Sequence, residues 1–303
     1  MAKKIKTIRK FNQRYRNLSF SELMSTADEE YLETVMEMDA DGNLLSESKF
    51  SHDGELEENN LFRYSPEGKL SEHVLVFAVE DVTEKRVLNR NEKGLLLEEV
   101  KYYGDDTGER MSYTYNDKDE VASITRYDEE GDFDYVEEMF YDSTGSLQER
   151  VKKDKEGKLL GRMVFSRNAT DQSVEENDYK ADGTLESKTM YRFDLDGREI
   201  SAVQTTADGK LISAVTSVYD EKGDMIERHY KDFYSKSVKN SFDDEHRLIT
   251  MELFDSSGLL LKKNIHVYNE DGNLSTEQTF EMDTSRGGRD KHFGTRYEYS
   301  FYE

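Results

Sequence analysis

Short polar segments rich in aspartate, asparagine and glycine, such as residues 39–44 and 269–274, recur along the sequence. Calcium binding is the first chemistry they suggest, because an EF-hand loop places oxygen ligands at its first, third, fifth and twelfth positions around a glycine at the sixth. With Gly197 at the sixth position, the first position is Arg192, which cannot ligate a cation. We therefore interpret these segments as acidic turns and not as calcium sites.

No other pattern of reactive residues predicts catalysis or a cofactor. Zinc-protease, Walker A, dinucleotide-binding and nucleophile-elbow motifs do not occur in the sequence. The sequence contains no cysteine, which removes thiolate ligands and cysteine nucleophiles. The sequence contains six histidines, and their spacing is not that of metal ligands: His52, His73, His229, His246, His266 and His292. We expect a protein that is not an enzyme, binds no metal and needs no cofactor.

The polar segments return at a regular spacing, which indicates the fold. Gly183, Gly197, Gly209 and Gly223 follow one another at intervals of 14, 12 and 14 residues. Glycine adopts positive φ without steric cost, and an aspartate or asparagine before it bonds to the local backbone. Each segment therefore predicts a hairpin turn.

Some turns are predicted without the usual glycine. Gaps of 26 residues between successive glycines predict degenerate turns near Asp81 and at residues 168–171. At residues 242–248 the motif is present, but His246 stands where glycine is expected. We interpret His246 as a residue in the left-handed conformation and not as a catalytic group.

Between the turns, the chain alternates as a β-strand does. Leu185, Ser187, Thr189, Tyr191 and Phe193 share one face, and mostly charged residues lie between them. About twenty turns predict roughly 21 strands with short connections, which favour antiparallel neighbours. The predicted fold is all-β, a long antiparallel meander of about 20 strands that forms one twisted or spiralling repeat sheet. Since open sheets of more than about ten strands usually curl or split, a closed shell is the alternative.

The two ends of the sequence differ from the repeat. Residues 1–30 are expected to form a basic N-terminal arm with a short helical or disordered segment, because Ser19 and Glu22 match a capping box. Residues 31–284 are the predicted array of hairpins. Residues 285–303 are interpreted as a basic loop and a capping strand, because aromatic residues alternate there.

The charge of the chain is strongly acidic but unevenly distributed. The 303 residues include 66 acidic and 42 basic ones, which gives a net charge of −24. Such a body repels nucleic acid and attracts basic partners. Basic residues cluster only near the two ends, and these are the candidate partner-binding residues: Lys3, Lys4, Lys6, Arg9, Lys10, Arg14, Arg16, Arg286 and Arg289.

Composition also bears on the core and on location. Hydrophobic residues make up 35% of the chain, so we expect a thin structure without a thick core. No apolar run is long enough to span a membrane, and the basic start lacks the apolar segment of a signal peptide. We expect a cytoplasmic protein.

The repeated motif resembles the YD repeats of bacterial Rhs-type proteins. It begins with Tyr-Asp or a close variant, has glycine at its fifth position, and occurs at residues 127–133, 141–147, 219–225, 254–260 and 268–274. It is also similar to the MORN-type hairpin repeats of the YwqK antitoxin family. The period of 26 residues for a pair of turns is longer than in either family, and the Gly-x-Tyr aromatics of MORN repeats are missing. The resemblance implies stacked hairpins that build scaffolds or interaction surfaces, and it implies no catalytic residue.

These observations predict a non-enzymatic interaction or scaffold protein that binds a protein partner through an acidic β-sheet surface. An antitoxin or immunity-type role is one alternative. Nucleic-acid binding through the basic arm is another, because Arg14, Tyr15 and Arg16 place an aromatic ring between two charges, although the acidic body opposes it. The arm could instead pack against the acidic repeat of its own chain or of a neighbouring chain.

Overall fold

The computed structural model describes most of the chain as a single β-sheet. The described residues are 3–15, 27–104, 106–232, 234–283 and 290–303, and the side chains of residues 106 and 107 are excepted. Within these ranges there are 22 strands and no helix. No helix in the described part of the chain is therefore long and apolar enough to cross a membrane.

The chain divides into two compact units. The first consists of Met1–Phe62, Leu75–Asp81 and Ser217–Glu303, and the second of Arg63–Val74 and Val82–Thr216. In chain order the strands are β1 (Ile5–Arg14), β2 (Glu29–Met38), β3 (Leu44–Phe50), β4 (Leu56–Tyr64), β5 (Leu70–Phe77), β6 (Val82–Arg90), β7 (Leu96–Tyr103), β8 (Asp106–Tyr115), β9 (Val121–Tyr127), β10 (Phe133–Tyr141), β11 (Leu147–Lys153), β12 (Leu159–Asn168), β13 (Ser173–Lys180), β14 (Leu185–Phe193), β15 (Glu199–Thr206), β16 (Leu211–Tyr219), β17 (Met225–Lys231), β18 (Lys236–Phe242), β19 (Leu248–Asp255), β20 (Leu260–Tyr268), β21 (Leu274–Glu281) and β22 (Lys291–Phe301).

The first and last strands pair with each other, so the prediction of an open meander or spiral sheet is wrong. The first strand, β1, pairs antiparallel with β2 on one side and with the last strand, β22, on the other. β22 in turn pairs with β21. Because both terminal strands have neighbours on both sides, neither leaves a row of unpaired backbone groups that could join another chain.

The N-terminal segment is also corrected by the structure. Residues 5–14 of the predicted basic arm form a strand, Ile5–Arg14. Ser19 and Glu22 of the predicted capping box lie outside the described residues, and the chain beyond them enters β2 at Glu29. Strand propensity depends on neighbours, and β1 has backbone partners on both sides that the local sequence does not reveal.

The hairpin turns have the conformation that their residues predict. In the turn at residues 220–224, the Asp220 carboxylate accepts hydrogen bonds from the backbone N–H groups of Lys222 and Asp224, each at 2.9 Å. Gly223 has a φ of 93° and donates its N–H to the Asp220 carbonyl at 3.1 Å. The side chain of the first residue thereby fixes the turn from inside.

The turns without glycine are present as well. Asp81 has a φ of 53°, and Gln172, which follows residues 168–171, has a φ of 51°. His246 has a φ of 64°, which confirms the left-handed interpretation. A further turn has Asp119 in the place of glycine, with a φ of 63°, and the irregular spacing there did not reveal it.

Tyrosines at or near the ends of several strands bond to the strand before. Tyr141, the last residue of β10, donates its hydroxyl to the carbonyl of Val121, the first residue of β9, at 2.9 Å. Tyr268 in β20 donates to Leu248 at 3.0 Å in the same way. Burial raises the pKa of both tyrosines, which keeps them as donors.

The core is thin, as the composition predicts. In the described part of the chain, the buried hydrophobic residues are only Tyr15, Leu88, Val100, Val151 and Phe280. Polar residues such as Glu99 and Gln278 are buried beside them. Two of the five buried hydrophobic residues, Tyr15 and Phe280, lie next to the strands that close the sheet.

Candidate functional site at the closing strands

We call β1, β2, β21 and β22 the closing strands. They bring distant parts of the chain together in the first unit. Gln13 of β1 lies opposite Glu30 of β2 and opposite Gly294 of β22. Gly294 in turn lies opposite Gln278 of β21. Because directly opposite residues share a face of the sheet, these side chains are grouped on one side.

Three aromatic rings form a stack at the end of these strands. The His292 ring lies parallel to the Tyr15 ring, with centroids 4.0 Å apart and planes at 10°. On its other side it stacks on Phe280 at 3.9 Å and 25°. All three residues are more than nine-tenths buried. We call Gln13, Tyr15, Gln278, Phe280 and His292 the closing cluster.

Gly294 leaves room for this stack. A Cβ atom at Gly294 would lie 2.6 Å from the Glu277 carbonyl oxygen and 3.4 Å from a ring carbon of Tyr15. The first distance is far below van der Waals contact and involves backbone, which cannot swing away. A side chain at this position is therefore incompatible with the observed pairing of β21 and β22.

A continuous set of hydrogen bonds crosses the closing strands. Gln278 donates its amide to the Tyr15 hydroxyl at 3.1 Å, and Tyr15 donates to the Gln13 side-chain oxygen at 2.7 Å. Gln13 donates in turn to the Glu30 carboxylate at 2.6 Å. Arg296 of β22 donates to both Glu30 oxygens, at 3.0 and 2.7 Å. The network therefore joins β21, β22, β1 and β2.

The ionised form of Glu30 is stabilised by this network. The hydrogen bond from Arg296 lowers the pKa of Glu30, and the bond from Gln13 adds to the effect while burial opposes it. The pairing with Glu30 raises the pKa of Arg296. The guanidinium also lies over the Phe11 ring at 4.1 Å and donates to Glu298 at 2.6 Å. A bidentate pair with a fixed cation is one of the stronger polar contacts available at a partly exposed site.

The opposite face of the same strands is also polar. Glu277 lies 3.6 Å from His266, whose hydrogen bond lowers the pKa of that carboxyl. Burial raises the pKa of Tyr297 to about 12, and the charge of Glu277 contributes. These shifts hold Glu277 ionised and Tyr297 neutral at ordinary pH, which suits hydrogen bonding and not proton transfer.

The closing cluster is arranged for holding strands together. The Tyr15 hydroxyl is occupied as donor and acceptor, and burial raises its pKa. Within the described ranges, no three His, Asp or Glu side chains are placed to hold a metal ion. The Gln278 side-chain oxygen is buried without a hydrogen-bond partner. The cluster presents no activated nucleophile with a base beside it.

The first three of the predicted basic residues make contacts within the chain. Lys3 lies 3.2 Å from the Asp271 carboxylate. Lys4 donates to the Ala40 carbonyl at 2.6 Å, and the Lys6 ammonium lies 5.8 Å from the centre of the Tyr302 ring. These contacts place Lys3, Lys4 and Lys6 against other parts of the same chain.

The other predicted basic residues lie in or beyond the closing strands. Arg9 lines a cavity of about 150 Å³ with Glu298, which lies opposite it on β22. Lys10 lies opposite Thr34 in β2, and Arg14 lies at the end of β1. The remaining three predicted residues lie outside the described part of the chain, and they are Arg16, Arg286 and Arg289.

A second feature with functional potential is the set of acidic turns. At residues 128–132, the Asp128 carboxylate accepts the Asp132 N–H at 2.8 Å, and Gly131 has a φ of 84°. Glu129 and Glu130 are exposed at the tip of this turn. Neither of them contacts a basic side chain within the described residues. The turn thus has one carboxylate that orders the backbone and two that face solvent.

Sequence reasoning did not identify the closing cluster. Its hydrogen bond between Tyr15 and Gln278 joins residues 263 positions apart, which no local pattern can report. One signal was available, because Gly294 interrupts an alternating strand, and an isolated glycine in a strand often marks a close approach of backbone.

Comparisons with known proteins give no family assignment. The sequence matches no protein-family model, and no curated protein matches it. Among solved structures, a TcdB2–TccC3–Cdc42 complex shares 12% identity over 86% of this chain, with a TM-score of 0.30. The Tc holotoxin pore of Photorhabdus luminescens shares 11% identity over 88% of this chain, with a TM-score of 0.31. This chain spans about a fifth of the length of those two, 20% and 19% respectively.

A third solved structure is matched over its whole length. It is a porin-like protein from Bacteroides uniformis, with 8% identity, coverage of 98% of this chain and 96% of that one, and a TM-score of 0.34. Scores of this size do not establish a common fold. The β-hairpin repeat architecture is evident from the strands and turns of this chain itself.

Proposed function

We propose that this chain is a non-enzymatic interaction protein that binds a basic protein partner through acidic turns of its sheet. The observation that carries the proposal is the turn at residues 128–132, where Glu129 and Glu130 are exposed on a backbone that Asp128 and Gly131 hold in one conformation. A resemblance to YD and MORN-type repeats supports the same kind of role.

The physical case rests on order and charge together. Binding costs less conformational entropy when the contacting groups are already held in place. The excess of 66 acidic over 42 basic residues draws a basic protein toward the surface and speeds the encounter. An antitoxin or immunity role would be one form of this proposal, with a basic toxin as the partner.

The nucleic-acid alternative loses its main support. It depends on a free basic arm, but residues 5–14 form β1, and Lys3 and Lys4 contact Asp271 and Ala40. With the cations of residues 3–14 in or beside the sheet, the net charge of −24 opposes contact with phosphates.

The test compares two neutralised variants of the full chain. Glu129→Gln with Glu130→Gln removes two exposed charges and leaves the ordering Asp128 in place. The control is Asp117→Asn with Glu221→Gln, which makes the same change in net charge at exposed positions. These two residues lie in the turns after the even-numbered strands β8 and β16, whereas Glu129 and Glu130 lie in the turn after β9. A partner is recovered from the source cells with the wild-type chain, purified, and its dissociation constant is measured against all three proteins at two salt concentrations.

We expect a basic partner, a loss of affinity of about tenfold in the first variant and a smaller loss in the control. Higher salt should weaken the wild-type complex more than the first variant's complex. A partner of acidic or neutral charge, or equal affinity for the wild type and the first variant, would contradict the proposal.

A further inference from the structure

A groove in the second unit collects basic side chains in an otherwise acidic protein. It has a volume of about 480 Å³ and lies between the turns at residues 65–69 and 91–95. Lys69, Arg90 and Lys93 line it, together with hydroxyl and amide groups.

Two cationic groups in this groove converge on one oxygen atom. Lys69 donates from Nζ to the Gly94 carbonyl at 3.0 Å, and Arg90 donates from Nη1 to the same oxygen at 3.4 Å. The two nitrogens can therefore be no farther apart than the sum of these distances. Gly94 leaves space for this approach, because a Cβ there would overlap the present position of Lys69 Nζ.

No carboxylate in the described residues forms an ion pair with either of these two cations. Lys93 nearby is paired with Asp119 at 2.8 Å, whereas Lys69 and Arg90 have only the neutral Gly94 oxygen between them. Arg90 Nε is a buried donor without a hydrogen-bond partner. Two like charges at short range repel, and a buried donor without a partner is costly, so the groove has an unmet demand for an acceptor.

The acidic residues of the groove do not meet this demand. Glu67 and Glu92 also line it. The Ser65 hydroxyl is the main group that lowers the pKa of Glu67, and the charge of Lys69 contributes less. Neither carboxylate forms an ion pair with Lys69 or Arg90 within the described part of the second unit.

We propose that this groove binds the oxyanion of a small molecule, either a phosphate or a carboxylate group. An oxyanion beside Gly94 would accept from Arg90 and lie next to the Lys69 ammonium. Arginine suits this role because its planar fork of donors matches the oxygens of carboxylate and phosphate, while lysine acts as a point charge. The volume of the groove leaves space for the rest of a small molecule beside its anionic group.

The experiment is a titration of the full chain with inorganic phosphate. Binding is monitored by the backbone NMR chemical shifts of residues 65–71 and 88–94. Sodium acetate is the second probe, and sodium chloride at equal ionic strength is the reference. Variants are Lys69→Gln, at an exposed position, and Arg90→Lys, which keeps the charge but removes the fork. Lys118→Gln is the matched control, because Lys118 also donates to a turn carbonyl, that of Ser143 at 3.1 Å.

We expect saturable binding of phosphate or acetate that is absent with chloride, weakened about tenfold by Lys69→Gln and by Arg90→Lys, and unchanged by Lys118→Gln. Tighter binding of phosphate or of acetate then assigns the anionic group. The proposal is overturned if neither anion binds beyond the chloride reference, if Lys69→Gln binds like the wild type, or if Lys118→Gln weakens binding as much as Lys69→Gln does. The Lys69 variant decides the matter even if Arg90→Lys fails to fold.

Discussion

The closing strands of the first unit and the repeat strands β9–β12 of the second unit are held by different means. At the closing strands, buried rings and amides surround Gly294, and the bonds run through Tyr15 from Gln278 to Gln13. In β9–β12, half-exposed ion pairs cross the strands, such as Arg150 with Glu137 at 2.7 Å. The repeat strands are stabilised by many small and replaceable contacts, whereas the closing strands depend on a few contacts that cannot be exchanged.

The largest effect should come from Gly294→Ala. The new Cβ would lie 2.6 Å from the Glu277 carbonyl, so β21 and β22 cannot keep their pairing, and we expect a loss of about 3 kcal/mol or more in the free energy of unfolding. The control is Gly161→Ala in β12, where the nearest atom would be the Tyr179 oxygen at 3.7 Å. Urea denaturation should show a change within about 1 kcal/mol there, and equal losses at both glycines would refute the distinction.

Removal of one hydroxyl should cost more in the closing cluster than in the repeat. Tyr15→Phe leaves Gln13 and Gln278 without their shared partner in a buried place, for which we expect a loss of about 2 kcal/mol. Tyr141→Phe removes one bond, to the Val121 carbonyl, and should cost about 1 kcal/mol. Thermal unfolding of both variants measures the difference. If Tyr141→Phe proves the more damaging, the repeat is not the more tolerant region.

Acid should weaken the closing strands through Glu30. Its folded-state pKa lies below the ordinary value of 4.5, so its contribution to stability is fully present above that pH and is lost as the pH falls through the depressed pKa. Glu30→Gln should therefore lower stability at neutral pH and flatten the decline of stability below the ordinary pKa. Hydrogen exchange of the β1 amides as a function of pH tests this. An identical acid dependence in the variant would show that Glu30 is not responsible.

The smallest effect should come from the surface pair of the repeat. Arg150 and Glu137 are partly exposed, and removal of the pair with Arg150→Met and Glu137→Gln should change stability by about 0.2 to 1 kcal/mol. A double-mutant cycle with Arg296→Met and Glu30→Gln at the closing strands should give a larger coupling energy. Equal coupling energies for the two ion pairs would contradict the expected difference between the repeat strands and the closing strands.

The repeat could be predicted from the sequence because its signals are local. Positive φ at a fixed position demands glycine or a tolerant residue, so the spacing of Gly183 and Gly197 and the exception at His246 predict turns that the structure contains. The number of strands made a closed shell an alternative, but the strands that close it could not be predicted, because the pairing of β1 with β22 joins opposite ends of the chain and the charges of β1 conceal its strand pattern. Gly294 was the only local sign of a close approach at these strands.

The tyrosines that end the strands also bear on the fidelity of folding. Repeated hairpins of similar sequence can pair with the wrong neighbour or slide by two residues without exposing the wrong face. A slip of two residues moves a side chain along the strand by about 6.6 Å, which is too far for a hydroxyl to reach its carbonyl. The bond from Tyr141 to Val121, and its equivalents at Tyr115 and Tyr268, therefore form only in the native alignment. The hairpins that carry such a tyrosine thus have a built-in check on the register of their strands.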